Sequence, residues 1–469
     1  MKYVNEKLQE FENYIKHKKV AIIGLGISNI PLIDYLYNLG SDVMIFNNKP
    51  IDELEKDVLD KIYEYKLKFS FGENYLSKLN GFDIIFRSPS CRPDLPEIEK
   101  EVERGAILTS EIELVLEMCP GKTIGITGSD GKSTVSTLTY EILNEQGYKC
   151  YLGGNIGNPL FTKIKDMKPE DYIVLELSSF QLMTMSVSPN IAVITNISPN
   201  HLDFHKSYEE YIEAKANIFE YQTENDLLVL NYENEITREF AKNAKAKVVY
   251  FSSKTKLDNG IILDNNIIKQ CENGLRRHIV NLKNAKLKGI HNAENICAAI
   301  SAINNIVTAE TQSKIVTEFS GIEHRLEFVK EINNIKWYND SIASTPTRTI
   351  AGLNSFDENI VLIAGGYDKN LDYSGLAKPI IDNTNSLILL GQTANKIFDA
   401  VTNELQYLKK ELPIYKVTTL DEAVEKAKEI SKKDDVVLFS PASASFDIFK
   451  NFEERGKRFK QLVNKLFSE

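Results

Sequence analysis

The segment from Gly125 to Thr134 reads Gly-Ile-Thr-Gly-Ser-Asp-Gly-Lys-Ser-Thr and lies between an apolar run and a stretch of helical periodicity. Its glycines let successive backbone N–H groups turn toward an anion, and the N-terminus of the following helix adds about half a positive charge. Lys132 is placed to reach the outer phosphates of a nucleotide, and Ser133 is placed to ligate magnesium. Because Ile126 stands where the standard spacing has glycine, the segment is a variant P-loop. A glycine-rich turn with an exposed lysine is the alternative, but the strand–turn–helix context disfavours it. We expect ATP to bind Gly128, Ser129, Asp130, Gly131, Lys132, Ser133 and Thr134.

Strand and helix patterns alternate in three cycles along the chain. Residues 19–47 contain an apolar run, a glycine turn, a helix-period stretch and a second apolar run, which is typical of a βαβ unit. The pattern restarts near residue 123 and again after Gly321. We predict an α/β protein of three domains: Rossmann-like at 1–110, a central P-loop domain with a parallel sheet at 111–321, and Rossmann-like at 322–469. Residues 252–290 are polar and asparagine-rich and give no clear prediction. The predicted later strands are Tyr172–Leu177, Ile191–Thr195, Leu227–Leu230, Ile360–Ala364, Ser386–Leu390 and Val436–Ser440.

The composition is that of a soluble protein of several domains. The chain has 469 residues, of which 42% are hydrophobic and 26% charged. No apolar run approaches the roughly 18 residues of a membrane span. The N-terminal residues are too polar for a secretory signal, so we expect a cytoplasmic protein without membrane association. The five cysteines are scattered, which indicates reduced thiols, and a net charge of −10 disfavours nucleic-acid binding.

A second glycine loop lies near the N-terminus and runs from Gly24 to Asn29. It partly matches a dinucleotide-binding fingerprint, but Asn29 replaces the third glycine. Asn47 stands where an acid would hold an adenosine ribose, and Asn48 and Lys49 follow it. This combination favours a phosphate-bearing nucleotide other than NAD. Tight packing of a strand against a helix, with no ligand, stays open as an alternative.

Polar residues follow two strands downstream of the P-loop. Glu176 ends an apolar run, where a carboxylate is well placed to bind magnesium, although a solvated strand end would look the same. His201 follows the next strand within the segment Asn196–Asp203, and Lys215 lies in a helix-like stretch. A lone histidine or a helix lysine is more often structural. Because His201 follows a strand at the same sheet edge as the P-loop, we favour a role for it in the nucleotide site.

The blocks of sequence, taken in order, resemble the Mur ligase family over nearly the whole chain. The most specific are TGSDGKST, GNIGNPL, LELSSFQL, NISPNHLDFH, GIHNAENI, GIEHRLE and SPASASFDIFKNFEERG. LSSFQL and SPASASFD are similar to the members that add D-glutamate. The resemblance implies ATP-driven joining of D-glutamate to UDP-N-acetylmuramoyl-L-alanine through an acyl phosphate, in peptidoglycan precursor synthesis. We also expect a monomer with small-molecule substrates. Closure of the third domain over the second is expected because the substrate, ATP and amino-acid groups are spread over three domains.

The resemblance assigns roles to single residues. The nucleotide-sugar substrate is expected at Ile27, Ser28, Asn47, Asn48, Lys49, Ser88, Asn155, Ser178 and Gln181. Two magnesium ions are expected at Ser133, Glu176, His201 and a carbamylated Lys215. ATP is expected to contact Asn295, Arg325 and Asp340 besides the P-loop, and D-glutamate is expected at Lys369, Ser445 and Phe446. The expected catalytic residues are Lys132, His201, Lys215 and Lys369.

Three residues depart from the family pattern. Asn47 replaces an aspartate, Ser90 replaces a glycine, and Ile342 replaces a lysine near the expected acyl phosphate. We hypothesise that Arg348 or Lys369 supplies the missing cation.

The helix expected after Ser445 carries three phenylalanines. Phe446, Phe449 and Phe452 are predicted to belong to it and to be buried in the core.

Other functions stay open from the sequence. A sibling ligase that adds another amino acid, or a folyl-polyglutamate synthetase, would share the ATP-binding motif. An NAD-dependent dehydrogenase would explain the first glycine loop but leaves the P-loop without a purpose. A non-catalytic nucleotide-binding regulator is the third alternative.

Overall fold

The computed structural model describes residues 3–54, 56–202, 204–287, 289–356, 358–369 and 371–466. Asp203, from the segment that carries His201, lies outside the described residues. The chain divides into two compact units, residues 1–319 and 320–469. The described residues form two sheets in the first unit and one in the second, and the predicted α/β class is confirmed. The predicted domain boundaries stay a prediction.

The first sheet consists of β1 (Lys19–Ile23), β2 (Asp42–Asn47), β3 (Lys68–Phe71), β4 (Ile84–Arg87) and β5 (Ile107–Thr109). The helices of this part are α1 (Glu6–Ile15), α2 (Ile30–Leu39), α3 (Lys56–Glu64), α4 (Pro96–Glu103) and α5 (Glu111–Met118). The strands are parallel in the order β3-β2-β1-β4-β5. The order reverses between β1 and β4, and such a reversal opens a crevice at the carboxyl ends of the strands.

The second sheet consists of β6 (Lys122–Thr127), β7 (Cys150–Gly154), β8 (Tyr172–Glu176), β9 (Ile191–Ile194), β10 (Leu227–Asn231), β11 (Lys247–Ser252), β12 (Gly260–Asp264), β13 (Ile267–Glu272) and β14 (Leu275–Asn281). Its helices are α6 (Lys132–Glu145), α7 (Ser179–Leu182), α8 (Tyr208–Glu220), α9 (Glu235–Phe240), α10 (Ile290–Ile303) and α11 (Ala309–Glu318). The strand order is β14-β13-β12-β11-β10-β9-β6-β8-β7. The P-loop follows β6, which lies between β9 and β8 in the interior of the sheet.

The asparagine-rich segment that the sequence left open forms β12, β13 and β14, which extend the second sheet. β12 pairs antiparallel with β13, and β13 with β14, so the sheet is mixed rather than parallel throughout. Two-residue turns join these strands at Asn265–Asn266 and Asn273–Gly274, and all four residues have positive φ. Asn and Gly adopt this conformation at low cost, which makes such pairs a hairpin signal. The Asn-Asn and Asn-Gly pairs in the sequence were therefore the signal for these two hairpins.

The third sheet consists of β15 (Glu327–Ile332), β16 (Ile335–Asn339), β17 (Ile360–Ala364), β18 (Thr384–Leu389), β19 (Ile414–Lys416) and β20 (Val436–Phe439). Its helices are α12 (Pro346–Leu353), α13 (Ser374–Asn383), α14 (Ala394–Leu408), α15 (Leu420–Ile430) and α16 (Phe452–Lys465). The order is β15-β16-β20-β17-β18-β19, and β15 is antiparallel to β16.

The expected helix after Ser445 begins later than predicted. Residues 446–451 form turns, and α16 begins at Phe452, where the side chain of Asn451 accepts a hydrogen bond from the Glu454 N–H. Phe446 is 58% exposed, so the prediction that it is buried in a helix was wrong. Phe449 packs against the core of this unit. An N-cap asparagine competes with continuation of a helix toward its N-terminal side, which accounts for the later start.

One continuous apolar cluster joins the first two sheets. It contains Ile22 and Leu32 from the first sheet and its helix, Val115 from α5, and Phe161 and Leu175 from the second. A shared core restricts relative movement of these two layers, which agrees with their belonging to one compact unit. Within the described part of the chain, no helix combines the length and apolar character that crossing a membrane requires.

Candidate active site

The loop between β6 and α6 requires glycine at two positions. Gly128 and Gly131 have φ of 148° and 79°, and Gly131 is the N-cap of α6. A Cβ atom at Gly131 would lie 2.1 Å from Asn295 Oδ1, and one at Gly128 would lie 1.9 Å from Thr195 Oγ1. The loop therefore bends closely around side chains from β9 and α10, and α6 begins with its N–H groups directed at the loop. The structure places Asn295, an expected ATP contact, beside this loop.

Polar contacts from the segment after β9 hold the loop. Ser129 Oγ donates to the Ser198 carbonyl at 2.9 Å and lies 2.9 Å from the Tyr211 hydroxyl. The Asp130 N–H donates to Asn196 Oδ1 at 3.1 Å, and the Asp130 carbonyl accepts from Thr195 Oγ1 at 2.6 Å. The polar residues 195–198 thus fix the loop in place, which restricts its movement before a ligand binds.

Lys132 is the cation of the loop. Its Nζ donates to the carbonyl oxygens of Gly128 and Ser129 at 2.8 and 2.9 Å. Ser133 and Thr134 follow in the first turn of α6 and are half-buried. An ammonium group, a helix N-terminus and a hydroxyl side chain converge here, which is the donor set that a nucleotide triphosphate requires.

Lys215 lies underneath the loop. It is 1% exposed, and its Nζ donates to the Gly128 carbonyl at 2.8 Å and to Thr127 Oγ1 at 3.2 Å. Burial, and secondly the nearby charge of Lys132, hold the pKa of Lys215 well below its usual range. The neutral amine is the form that attacks carbon dioxide, and a lowered pKa favours this form.

Glu176, at the carboxyl end of β8, carries an unusual buried oxygen. The residue is 1% exposed, and its Oε1 accepts from Asn155 Nδ2 at 2.8 Å. Its Oε2 is buried without a hydrogen-bond partner. A buried carboxylate oxygen is costly unless it is paired, and oxygen is the ligand that magnesium prefers. Glu176 and Asn155, expected at metal and substrate, therefore fit a bound cation.

The described residues contain no group of three or more His, Cys, Asp and Glu side chains arranged for a metal ion. Glu176 alone would supply a carboxylate among the expected ligands, and Ser133 a hydroxyl. Such a weak protein donor set suits magnesium, which commonly keeps several waters and takes further oxygens from substrate phosphates.

His201 is exposed and lies on the segment between β9 and α8. Its φ is 55°, and its ring centroid lies 4.9 Å from that of Phe180. Ser178 and Gln181 form a capping box on α7, in which Gln181 Oε1 accepts from the Ser178 N–H and hydroxyl at 2.9 Å each. These two expected substrate contacts also have a structural role.

The expected nucleotide-sugar residues of the first sheet lie at the carboxyl ends of adjacent strands. Ile23 pairs with Phe46 and with Arg87, so the residues after β1, β2 and β4 lie side by side. Asn47, the last residue of β2, and Ser88, which follows β4, are nearly buried at this edge. Ile27 is 69% exposed, and Ser28, Asn48 and Lys49 are also more accessible.

The glycine loop after β1 packs tightly against Ser88. A Cβ at Gly24 would lie 2.6 Å from Ser88 Cβ. Asn29 Nδ2 donates to the carbonyls of Ile23 and Gly24 at 3.1 and 2.9 Å, which explains why asparagine replaces the third glycine of the fingerprint. Ser90, the second departure, lies with its Oγ 3.1 Å from Ser88 Oγ.

In the second unit, Asp340 is a buried carboxylate. It is 4% exposed, and its oxygens accept from the Leu326 N–H at 3.2 Å and from Ser440 Oγ at 2.7 Å. Burial raises the pKa of Asp340 to about 6, although the Ser440 and Leu326 hydrogen bonds and the charges of Arg325 and Arg348 oppose the rise. Arg325 itself is exposed. The two expected ATP contacts of this unit are thus electrostatically coupled.

We expect the stability of the second unit to fall as pH rises from about 4 to about 6. The folded state holds the Asp340 proton more tightly than the unfolded chain, so stability is complete at low pH and is lost as the carboxyl ionises. Asp340→Asn cannot ionise and should therefore remove this dependence. Trp337, the one tryptophan of the chain, is buried in this unit, so its fluorescence in urea reports the transition. Asp399→Asn, at an exposed position, is the control. Equal pH dependence in Asp340→Asn and the unaltered protein would contradict the expectation.

The expected D-glutamate residues lie close together in the second unit. Lys369 Nζ lies 5.3 Å from the centroid of the Phe446 ring, and Ser445 is 2% exposed beside it in the chain. The Tyr367 N–H donates to the Ala444 carbonyl at 3.0 Å, which ties the two segments together. The structure therefore brings these three predicted residues into one region.

Arg455, which sequence reasoning missed, supports this region. It is 3% exposed and donates to the Ala444 carbonyl at 2.8 Å and to the Ser341 carbonyl and hydroxyl at 2.8 and 3.0 Å. A fully buried arginine that donates to loop carbonyls fixes the loop geometry. Its signal in the sequence was the block SPASASFDIFKNFEERG, which ends in this arginine and a glycine and in which no role was assigned to Arg455.

Two protein-family models match the chain. They are described as Mur ligase middle domain, over residues 126–303, and Mur ligase, glutamate ligase domain, over residues 324–443. The UDP-N-acetylmuramoylalanine–D-glutamate ligase of Acetivibrio thermocellus is 52% identical over 466 residues, covering 99% of this chain and 100% of that protein. A protein of the same name from Clostridium novyi is 48% identical over 463 residues, with coverage of 99% and 100%. The resemblance predicted from the motifs is confirmed.

Solved structures are similar in fold. MurC, a UDP-N-acetylmuramate-alanine ligase from Thermotoga maritima, matches with a TM-score of 0.55 at 21% identity, covering 96% of this chain and 100% of that chain. A pseudomurein peptide ligase type C from Methanothermus fervidus matches with a TM-score of 0.53 at 18% identity and the same coverage. At these identities the likeness concerns the fold alone.

Proposed function

The chain belongs to the Mur ligase family, and from this premise we propose that it joins D-glutamate to UDP-N-acetylmuramoyl-L-alanine at the expense of ATP. Full-length relatives at 48–52% identity carry the name of this activity. The observation that carries the proposal is the P-loop with buried Lys215 directly beneath it and Glu176 at the end of the neighbouring strand β8. This arrangement suits phosphoryl transfer to a carboxylate.

The reaction requires an activated carboxyl group, because a carboxylate oxygen is a poor leaving group. The L-alanyl carboxylate attacks the γ-phosphorus of ATP, ADP leaves, and an acyl phosphate forms. The neutral amine of D-glutamate then attacks the carbonyl carbon and expels phosphate. Lys132 neutralises charge on the transferring group, a preorganised interaction that strengthens as charge develops.

We propose that two magnesium ions bind through Ser133, Glu176, His201 and a carbamylated Lys215. Bound magnesium supplies charge neutralisation at the phosphates. The unpartnered Glu176 oxygen and the lowered pKa of Lys215 support this assignment. The carbamate turns a buried amine into an oxygen ligand, which magnesium prefers.

The remaining substrate groups are assigned by their place in the fold. The uridine diphosphate end is proposed to lie at the crevice of the first sheet, along Ile27, Ser28, Asn47, Asn48, Lys49 and Ser88, with Asn155, Ser178 and Gln181 nearer the reacting end. ATP is proposed to contact Asn295, Arg325 and Asp340, and D-glutamate to contact Lys369, Ser445 and Phe446. We propose a cytoplasmic monomer whose substrate, ATP-binding and amino-acid domains are 1–110, 111–321 and 322–469.

The proposal is tested by phosphate release from ATP in the presence of UDP-N-acetylmuramoyl-L-alanine. D-glutamate should stimulate release far more than L-glutamate, L-lysine or diaminopimelate. Stimulation by another of these amino acids would assign the chain to a sibling reaction. Stimulation by L-glutamate with a folate in place of the nucleotide sugar would indicate a folyl-polyglutamate synthetase.

Ile342 replaces a lysine near the expected acyl phosphate. We expect Arg348 or Lys369 to supply the positive charge that this replacement removes. Arg348 Nη1 donates to the Ile342 carbonyl at 3.2 Å, which places its guanidinium next to the departure. Arg348→Ala or Lys369→Ala should therefore lower the ligation rate by at least about tenfold. Steady-state rates of both variants, with Arg458→Ala in an exposed ion pair as the control, measure the effect. Unchanged rates in both would reject the hypothesis.

A further inference from the structure

A buried histidine without a role in the proposed reaction lies in the segment before α8, against the start of α7. The side chain of His205 is completely buried, and its ring is stacked on that of Phe180 with centroids 5.5 Å apart. Nε2 lies 2.9 Å from Ser179 Oγ, and Nδ1 lies 3.4 Å from Glu210 Oε2. The ring therefore has a hydroxyl on one side and a carboxylate on the other.

The hydrogen-bonding direction of this ring follows from its neighbours. Nδ1 makes no hydrogen bond to a described residue, but Glu210 Oε2 lies 3.4 Å away, and an ionised carboxylate at this position favours a proton on Nδ1. With the proton on Nδ1, Nε2 of the neutral ring accepts from the Ser179 hydroxyl, 2.9 Å away. Ser179 is the first residue of α7, directly after Ser178.

Glu210 continues the chain of contacts to the first sheet. Arg92 Nη2 donates to Glu210 Oε1 at 2.7 Å and Nη1 to Oε2 at 3.2 Å. Arg92 also donates to the Phe204 carbonyl at 2.5 Å. It lies in the loop after β4, four residues beyond Ser88. The contacts thus run from this loop through Glu210 and His205 to the start of α7.

A second arginine ties the beginning of the same loop to α7. Arg87 is 1% exposed, and its Nη2 donates to the Phe180 carbonyl at 2.8 Å and to Thr184 Oγ1 at 3.2 Å. Its Nη1 donates to the Cys91 carbonyl at 2.6 Å. Contacts to α7 and α8 therefore hold both ends of the loop at 88–92. Arg87 binds α7 directly, whereas Arg92 is linked to α7 through Glu210 and His205.

We propose that His205 is a positioning residue that sets the start of α7 against the loop after β4, so that both contact one nucleotide-sugar molecule together. This inference rests on the proposed function, in which Ser88 contacts that substrate from one side and Ser178 and Gln181 from the other. His205 does not touch the reacting atoms. Its loss should weaken binding of the nucleotide sugar and leave binding of ATP nearly unchanged.

Substitutions at His205 separate its two contacts. His205→Phe keeps the ring and its stacking but removes both polar contacts. His205→Gln places an amide near the Nε2 position, which preserves the contact with Ser179, and His205→Asn places one near Nδ1, which preserves the contact with Glu210. We expect KM for UDP-N-acetylmuramoyl-L-alanine to rise about tenfold in His205→Phe and less in His205→Gln, with KM for ATP within about twofold of the unaltered enzyme.

Glu210 offers a matched pair with its neighbour. Glu210→Gln and Glu209→Gln remove the same charge from the same turn of α8, but Glu209 is exposed and outside the chain of contacts. Glu210→Gln should raise KM for the nucleotide sugar, and Glu209→Gln should not. Because His205→Phe and Glu210→Gln break the same chain, their effects on KM should be less than multiplicative in the double variant.

The outcomes separate this inference from the proposed function. If the unaltered enzyme fails to use UDP-N-acetylmuramoyl-L-alanine, the proposed function fails. If it uses this substrate, but His205→Phe and Glu210→Gln change only thermal unfolding, or raise both KM values equally, the positioning role is overturned. Direct binding of the nucleotide sugar without ATP, measured by calorimetry, gives the same comparison independently of turnover. A selective loss of this binding in His205→Phe, partly restored in His205→Gln, supports the role.

Discussion

Lys132→Ala should lower the rate of ligation by at least about 10²-fold, the loss expected when one preorganised donor to a developing charge is removed. Nζ of Lys132 is held by the Gly128 and Ser129 carbonyls, so its position is set before ATP binds. The substitution also removes one of the charges that lower the pKa of Lys215. It should therefore reduce both charge neutralisation and carbamate formation.

Lys122→Ala is the matched control for this experiment. Lys122 is an exposed lysine at the opposite end of the same strand, β6, so its loss changes the net charge equally without touching the loop. Initial rates of phosphate release at saturating ATP measure both variants. A near-normal rate for Lys132→Ala would refute the assignment of the loop as the ATP-binding element. A non-catalytic nucleotide-binding regulator would instead be indicated if the unaltered protein bound ATP but released no phosphate.

Lys215→Arg should lower the rate of ligation by at least about 10²-fold, although it retains a positive charge. Arginine stays protonated and cannot form a carbamate, and its planar head does not fit a site built around one nitrogen. Lys215→Ala should be similarly impaired. In the unaltered enzyme, the lowered pKa of Lys215 favours the neutral amine, which is the form that can react with carbon dioxide.

The carbamate has a readout that is independent of catalysis. Unaltered protein equilibrated with ¹³C-bicarbonate should give a carbamate carbon signal that is absent from Lys215→Arg and retained in Lys122→Ala. Depletion of carbon dioxide should lower the activity of the unaltered enzyme reversibly. Normal activity in Lys215→Arg, or an identical carbon spectrum for both proteins, would count against the carbamate.

The sequence by itself determined the α/β class and the P-loop. Gly128 and Gly131 stand in a glycine-rich spacing typical of a loop whose backbone has positive φ, and this spacing is read from the local sequence alone. The hairpins at 265–266 and 273–274 were equally local, since Asn-Asn and Asn-Gly turns specify their own geometry. The strands themselves were not predicted, because the segment is polar and its apolar runs are short.

Only the tertiary structure decided which charged residues are buried. Lys215 reads as an ordinary helix lysine in sequence, and its lowered pKa arises from the P-loop packed against it, 87 residues away in the chain. Arg92 and Glu210, 118 residues apart, pair across two sheets. Arg455 and Ser341 are joined over 114 residues in the same way. Local periodicity describes the face of a helix or strand, whereas ionisation and hydrogen bonding depend on what distant segments place against that face.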